Sequence, residues 1–501
     1  MNSYVASEQY LKDVANAIRS KMGDNNVVDF SNLSNIINNL PSGSSEYACG
    51  LDFTNSSSIG EPFCGDRVTN MVSTFAYVPT ITDAICGNNV VCMYSTYFGC
   101  SNLLNAVCGV NVTNMCRTYE GCCKLVDAVC GPKVTMMIGT YANCSNLLNA
   151  VCCENVLRML YTYFNCSNLT RVNIGKNVRF LQGTYQHCSS LTEAFTGANA
   201  IGIDYAFQNC RNLKNATVGP AVINMNYTFD SCTSLHNVQF LSSRCQSMMG
   251  AFAGCRSLIS AYVPDTVRYM QGAYINCTNL TTAVCGSLTI SMQDAYSGCT
   301  NLTTAVCGNV VRDMTRAYSR CSKLTNAVCG PDVTLMMGAY QYCSNIITGV
   351  CGDNVTNMAF AYDNCPHLTV GLCGNNVTNM AYAYRSCMRL ATLYIGPNVT
   401  NMYGVISSSI SNLTIIEIES KNITRADLNN LAHSRVNTRP LIIYVPADST
   451  TNNTLFGLNN TSFNGSPSII GRYTGLLHFS HDAHNRCYFD KTANLNIYYS
   501  L

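Results

Sequence analysis

One unit of 22 residues recurs from about residue 50 to residue 418, and it leaves the chain few ways to fold. Its clearest copies are MQDAYSGCTNLTTAVCGNVVR at 292–312 and MTRAYSRCSKLTNAVCGPDVT at 314–334, with Met292 and Met314 one period apart. Only the units near 245 and 410 carry one extra residue. A unit this short cannot bury a hydrophobic face alone, so each copy must be covered by the next. The chain is therefore expected to wind into a solenoid that offers a long surface, not a cleft assembled from scattered residues.

Five columns of the repeat are expected to point inward. An aromatic column runs from Phe75 and Tyr97 to Tyr384, and a cysteine column follows it three residues later, from Cys100 to Cys387. Leu or Ile comes three residues after that, from Ile59 and Ile81 to Leu390. A short strand then supplies an Ala and a Cys, as in Ala106 with Cys108 or Ala327 with Cys329. A Val and a Met close the arc, as in Val355 and Met358. Leu-x-x-φ-x-φ at a period between about 20 and 29 residues is a leucine-rich pattern, one strand plus a return arc per unit. Gly follows the strand in most units, for example Gly109 and Gly330, where a turn is expected to need positive φ.

The 31 cysteines would ordinarily suggest a secreted disulfide framework. Their placement argues otherwise. Fourteen occupy the column after the aromatic residue and ten the strand column. Side chains stacked in register stand about 4.8 Å apart, further than the ~3.8 Å between Cβ atoms that a disulfide needs. They are expected to be reduced core residues of a protein assembled in a reducing cytoplasm. Zinc is not expected, because tight Cys-x₂₋₄-Cys pairs are missing, and the neighbours Cys122–Cys123 and Cys152–Cys153 do not supply them.

Composition removes further classes of function. Charged residues make up 11% of the chain, the net charge is +2 and Trp is absent. That balance leaves no electrostatic footprint for nucleic acid or an anionic membrane, and no apolar run reaches the ~18 residues of a membrane span. The opening MNSYVASEQYLKDVANAI lacks the basic start, apolar middle and cleavage site of a signal peptide. No phosphate loop, nucleophile elbow or His-Glu-x-x-His occurs, and acids such as Asp127, Glu193 and Asp313 fall in different units. His478, His481 and His484 cluster around Asp482, but on a strand 478 and 484 share one face and 481 takes the other. No catalytic residue, cofactor or metal site is expected, and the chain reads as a non-enzyme.

Three zones follow. In residues 1–45, Leu11, Val14 and Ile18 share one helical face, and Leu33, Ile36 and Ile37 mark a second short helix that stops at Pro41. These helices are either a cap on the first repeat or an anchor that docks elsewhere. Residues 46–418 hold about 17 units of solenoid. Residues 419–501 lose the period, with LIIYVPADST at 441–450 expected as a strand, and form either a mixed cap or a small β-rich domain.

The strand residue between Ala and Cys should face away from the core. In that column Ile85, Val107, Val129 and Val151, and then Val284, Val306, Val328, Val350 and Leu372, form two apolar runs around a polar middle. β-Branched residues suit a strand wherever they sit, yet an exposed apolar stripe usually marks a partner surface.

With its aromatic, Cys and Leu columns and the arc Val263-Pro264-Asp265-Thr266-Val267, the repeat resembles the BspA-like leucine-rich repeats of bacterial surface proteins, some protists and phage virion proteins. The resemblance implies a right-handed stack of short parallel strands and return arcs. Separately, the stretch from Val14 to Gly23, VANAIRSKMG, resembles an N-terminal segment of tail and fibre proteins from phages of Gram-positive bacteria. Together they imply a virion structural protein, a tail-fibre or receptor-binding component. Its N-terminus would hold other virion proteins, and its solenoid would meet a host-surface protein or glycan or a second copy of itself. The alternative is a bacterial cell-surface adhesin on the same solenoid; a glycan-processing enzyme using it as a scaffold is the remaining class.

Overall fold

The computed structural model describes residues 64, 68–406, 410 and 412–420, together with the backbone of four later strands between 441 and 488. The N-terminal helices expected around Leu11–Ile18 and Leu33–Ile37 lie outside the described residues. The chain forms two compact units, Met1–Ser257 and Leu258–Leu501, and each is a stack of 22-residue turns joined by parallel bridges such as Asp83↔Asn105 in the first and Thr282↔Thr304 in the second.

The inward columns are where the repeat places them. In one turn of the first unit Cys100, Leu103, Val112, Met115 and Tyr119 are all fully buried. Rings of the aromatic column stack face to face from Phe75 to Phe252, with centroids 5.4–5.7 Å apart. In the second unit the run from Tyr274 to Tyr384 does the same at 5.4–5.6 Å. Each buried side chain of this size stabilises by roughly 1.5–3 kcal/mol through area alone, and only because a neighbouring turn covers it.

Cysteine suits the next column because it is a small hydrophobe with a weak donor. The Cys122 thiol points at the Tyr97 carbonyl at 3.2 Å and Cys321 at that of Tyr296 at 3.1 Å, so each ties its turn to the preceding one. The cysteines of the described residues stand as thiols.

The return arc satisfies its backbone by alternation. Amides of Met137, Gly139, Tyr141 and Asn143 donate to the following turn, while those of Thr140, Ala142 and Cys144 donate three residues back within their own. Two left-handed residues per turn make this possible, for instance Gly139 (φ 61) and Asn143 (φ 63). In the first unit the residue before the ring is usually a buried Thr, and Thr118 and Thr140 donate to the Met93 and Met115 carbonyls of the preceding turn. In the second unit Ala295, Ala317 and Ala339 take that position and are fully buried.

Extended pairing appears only in some turns, and the aromatic column decides which. In the first unit the strands are β1 (Glu193–Phe195), β2 (Asn215–Val218) and β3 (Asn237–Phe240), paired in parallel order β1-β2-β3. The rings that follow them are Phe207, Phe229 and Phe252. Where the ring is Tyr, its buried hydroxyl needs partners and takes them from the strand. Tyr97 donates to the Ile85 carbonyl at 2.8 Å and accepts from the Ile85 amide at 2.9 Å. That peptide is then lost to the ladder, and only a single bridge remains.

In the second unit the rule holds with one exception, the two-residue strand Val370–Gly371, which is followed by Tyr384. Val306 gives its amide to the Tyr318 hydroxyl at 3.0 Å, whereas Tyr394, twelve residues before Ile406, lies within a true strand. There β4 (Val370–Gly371), β5 (Thr392–Ile395), β6 (Ile415–Ile418), β7 (Leu441–Pro446) and β8 (Ser468–Tyr473) form one parallel sheet in that order. Beyond β6 the step lengthens, with Ile415 opposite Ile442 and Leu441 opposite Ser468, 27 residues in each case. The strand expected from Leu441 is present, and β9 (Ser480–His481) pairs antiparallel with β10 (Cys487–Tyr488).

Hydroxyl capture makes a prediction. Tyr318→Phe should cost about 1 kcal/mol or less, because the freed Val306 peptide can join its neighbours as in the Phe turns. Urea denaturation measures the loss and far-UV circular dichroism the added strand; a loss above ~3 kcal/mol would mean the peptide stays orphaned.

Candidate functional site

The strand stripe is less open than its alternation implies. Ile85, Val107, Val129, Val151, Val284, Val306, Val328 and Val350 are half-buried, and Leu372 is buried at 7% exposure. Small side chains stacked one turn apart cover each other's flanks, and the hydroxyl-held peptide leaves little strand to project them. Leu372 therefore drops out of the surface, and among the described residues of the column the exposed ones are Asn173, Phe195, Gln239 and Tyr262.

The open apolar surface is elsewhere, and part of it is strained. Tyr161, Tyr205 and Tyr227, which are exposed, and Phe360 and Tyr382, which are half-buried, sit two residues before the buried ring, all with φ between 52 and 59. Left-handed backbone costs a non-glycine residue roughly 1–2 kcal/mol, and Gly139, Gly183, Gly250, Gly338 and Gly404 hold the same position in other turns. The glycines complete the arrangement. A Cβ on Gly183 would strike the Tyr161 ring, and one on Gly404 the ring of Tyr382, so each ring lies flat over the next turn's glycine.

In the first unit Tyr205 and Tyr227 stack at 5.2 Å with both rings exposed. Phe164 meets Tyr161 and His187 edge-on at 6.3 and 5.5 Å. In the second unit Phe360 stacks on Tyr382 at 4.9 Å, and Tyr403 meets Tyr382 edge-on at 5.3 Å. The Arg385 guanidinium lies 5.0 Å from the Tyr382 centroid and 5.6 Å from that of Phe360. It is fixed from behind by Asp363, a fully buried carboxylate that accepts from Arg385 Nε at 2.9 Å and Nη2 at 2.7 Å. Gln341 Nε2 and Asn364 Nδ2 donate to the same carboxylate at 2.9 Å each. The result is a rigid aromatic and guanidinium surface with its charge compensated, suited to stacking and hydrogen bonding.

The Cys86, Cys100 and Cys108 thiols are not poised for covalent chemistry. Burial pushes the Cys86 and Cys100 thiols up to about 11 and Cys108 up to about 12, so all three stay protonated at neutral pH. Among the described residues no group of three His, Cys, Asp or Glu could hold a metal ion, and no helix is long and apolar enough to cross a membrane. The side chains of His478, His481 and His484 lie outside the described residues.

Glu417 is the exception in the electrostatics. Its carboxyl is buried in β6, Oε1 has no hydrogen-bond partner, and burial with the nearby Glu419 raises it to about 7. The folded state thus favours the protonated acid. That contribution is fully present below the unfolded value near 4.5 and is lost as pH rises through 7. Urea midpoints at pH 5, 6 and 8 should fall with pH, and Glu417→Gln should flatten the trend; an unchanged slope would remove Glu417 as its source.

The strained aromatics were the residues missed in the sequence. The signal was present, since one position alternates Gly139, Tyr161, Gly183 and Tyr205 in successive units. A site shared by glycine and large rings is a left-handed site where the ring is tolerated at a cost.

The BspA type leucine rich repeat region (6 copies) matches residues 72–192, 118–226, 200–325 and 315–437. Among solved structures, the chain is similar to a leucine-rich repeat protein from Bacteroides ovatus, at 16% identity over 66% of this chain and 82% of that one, TM-score 0.47. It is also similar to a leucine rich cell surface protein from Faecalibacterium prausnitzii (18%, covering 62% and 81%, TM-score 0.33) and to the pneumococcal vaccine antigen PcpA (13%, covering 65% and 84%, TM-score 0.27). No curated protein matches the sequence. The matched repeats together span residues 72–437 of the 501, and the protein belongs to the BspA-type leucine-rich repeat family.

Proposed function

We propose that the protein is a non-enzymatic binding and display scaffold that engages a macromolecule through its exposed aromatic arc. One observation carries this reading: large rings are kept exposed on left-handed backbone where glycine serves other turns. Solenoids of this kind use their extended faces for binding. Replacing Tyr205 and Tyr227 together by Gly should leave thermal unfolding within about 1 kcal/mol of the parent, since glycine relieves the strain as packing is lost. Binding to intact cells should fall at least tenfold. Undiminished binding by the folded double variant would remove the arc as the contact surface.

The finer reading is a phage virion component, a tail-fibre or receptor-binding protein assembled in the reducing host cytoplasm and held to other virion proteins through Leu11, Val14, Ile18, Leu33, Ile36 and Ile37. Its support is the resemblance of the segment from Val14 to Gly23 to tail and fibre proteins. Family membership fits the second reading, a bacterial cell-surface adhesin, at least as well. An antibody against the solenoid separates them by labelling either purified phage particles or intact uninfected cells. If the anchor reading holds, a chain lacking residues 1–45 should stay soluble and folded yet fail to enter particles. Aggregation of that truncated chain would instead mark the segment as a cap.

A further inference from the structure

We propose that Cys130 and Cys153 are a built thiol pair that closes into a disulfide across two neighbouring turns of the first unit when the folded protein meets a small-molecule disulfide. The position after the strand cysteine is glycine in the flanking turns for a steric reason. A Cβ at Gly131 would stand 2.7 Å from the Cys108 sulfur, and one at Gly175 would stand 2.9 Å from the Cys152 sulfur. Position 153 lies 22 residues from each of these glycines and holds a cysteine. Its Cβ is therefore brought against the Cys130 sulfur. In a disulfide each Cβ stands about 3 Å from the partner sulfur, as an S–S bond of about 2.05 Å requires.

The observed contacts agree. Cys153 Sγ donates to the Cys130 carbonyl oxygen at 3.0 Å, which places the Cys153 side chain against Cys130. Both are only partly buried, so a small reagent can reach them. Cysteines of a single column cannot pair this way. They are stacked in register, and the Tyr119–Tyr141 ring separation of 5.5 Å marks how far apart successive turns lie, against a Cβ separation of about 3.8 Å in a disulfide. Only the diagonal pair brings one sulfur over the other's Cβ.

The exchange balances with oxidised glutathione as the oxidant. Cys153, as thiolate, attacks one glutathione sulfur, the S–S bond breaks, and one glutathione leaves as thiolate. Cys130 then gives up its proton and displaces the second glutathione from Cys153. Two protein thiols and one glutathione disulfide become one protein disulfide and two glutathione thiols, with the two protons passing to the latter.

The test incubates the full-length folded protein with oxidised glutathione, quenches with an alkylating reagent and maps peptides without reduction. The expected result is a linked pair of peptides carrying Cys130 and Cys153, an intact mass lower by two hydrogens, and a melting temperature several degrees higher than before oxidation. Cys153→Gly, which restores the residue of the flanking turns, and Cys130→Ala should both fold and should both lack the rise. A wild-type protein in which Cys130 stays open to alkylation after oxidation would overturn the proposal. So would a Cys153 found joined to Cys152 or left carrying glutathione.

Discussion

Tyr296→Ala is expected to cost about 3–5 kcal/mol, the range for deleting a large buried aromatic side chain. Tyr296 is fully buried between Tyr274 at 5.4 Å and Tyr318 at 5.6 Å. Those neighbours are held by their own stacks and hydroxyl bonds, so they cannot close the gap. The hydroxyl also holds the Val284 peptide, donating to its carbonyl and accepting from its amide at 3.0 Å. Truncation also frees that peptide, which can pair with its neighbours as in the Phe turns, so the cavity carries the cost. Asn326, exposed beside the strand, is the control, and Asn326→Ala should stay within about 0.5 kcal/mol of the parent. Because each turn touches only its neighbours, the loss should also appear as an early local transition in a urea melt followed by circular dichroism. Equal losses for the two variants would mean the inward and outward columns are exchanged.

What was legible in the sequence follows from which interactions the repeat enforces. The buried ring, Cys, Leu, Val and Met columns were readable because a stacked unit must present the same side chain to the same neighbour, as Tyr119, Cys122 and Leu125 do. The strand face was harder. Alternation along Ala106, Val107 and Cys108 assumes an extended ladder, but the Tyr119 hydroxyl takes the Val107 peptide, accepting from its amide at 3.1 Å and donating to its carbonyl. The three residues end up with similar half-burial instead of a clean in-and-out pattern. A side chain competing with the backbone ladder cannot be seen in hydropathy, although the change from Tyr185 to Phe207 at the start of the ladder was visible in the letters. The exposed arc escaped for another reason: its signal is conformational, a glycine position occupied by Tyr161 or Tyr205, not a period of apolar residues. The anchor residues from Leu11 to Ile37 fall outside the described residues and keep the standing of an expectation.

Arg385→Ala should destabilise the second unit by about 3 kcal/mol, at the low end of the range for breaking a buried ion pair. Asp363 has no exposed surface, whereas Arg385 keeps 37% of its side chain in solvent. Losing the arginine therefore strands a buried carboxylate, while losing the aspartate releases a cation that water can solvate. Gln341 and Asn364 still donate to Asp363, and water entering the vacated space offsets part of the penalty, which keeps the figure from the top of the range. The asymmetry gives the sharper expectation. Adding Asp363→Asn to Arg385→Ala should recover stability, because the second change removes the uncompensated charge that made the first one costly. Urea midpoints of the parent, both single variants and the double variant supply the cycle. The penalty should also survive added salt, since the carboxylate is shielded from the ions that screen surface pairs. A double variant less stable than Arg385→Ala would mean that guanidinium packing on Phe360 and Tyr382, and not charge compensation, is what the arginine contributes.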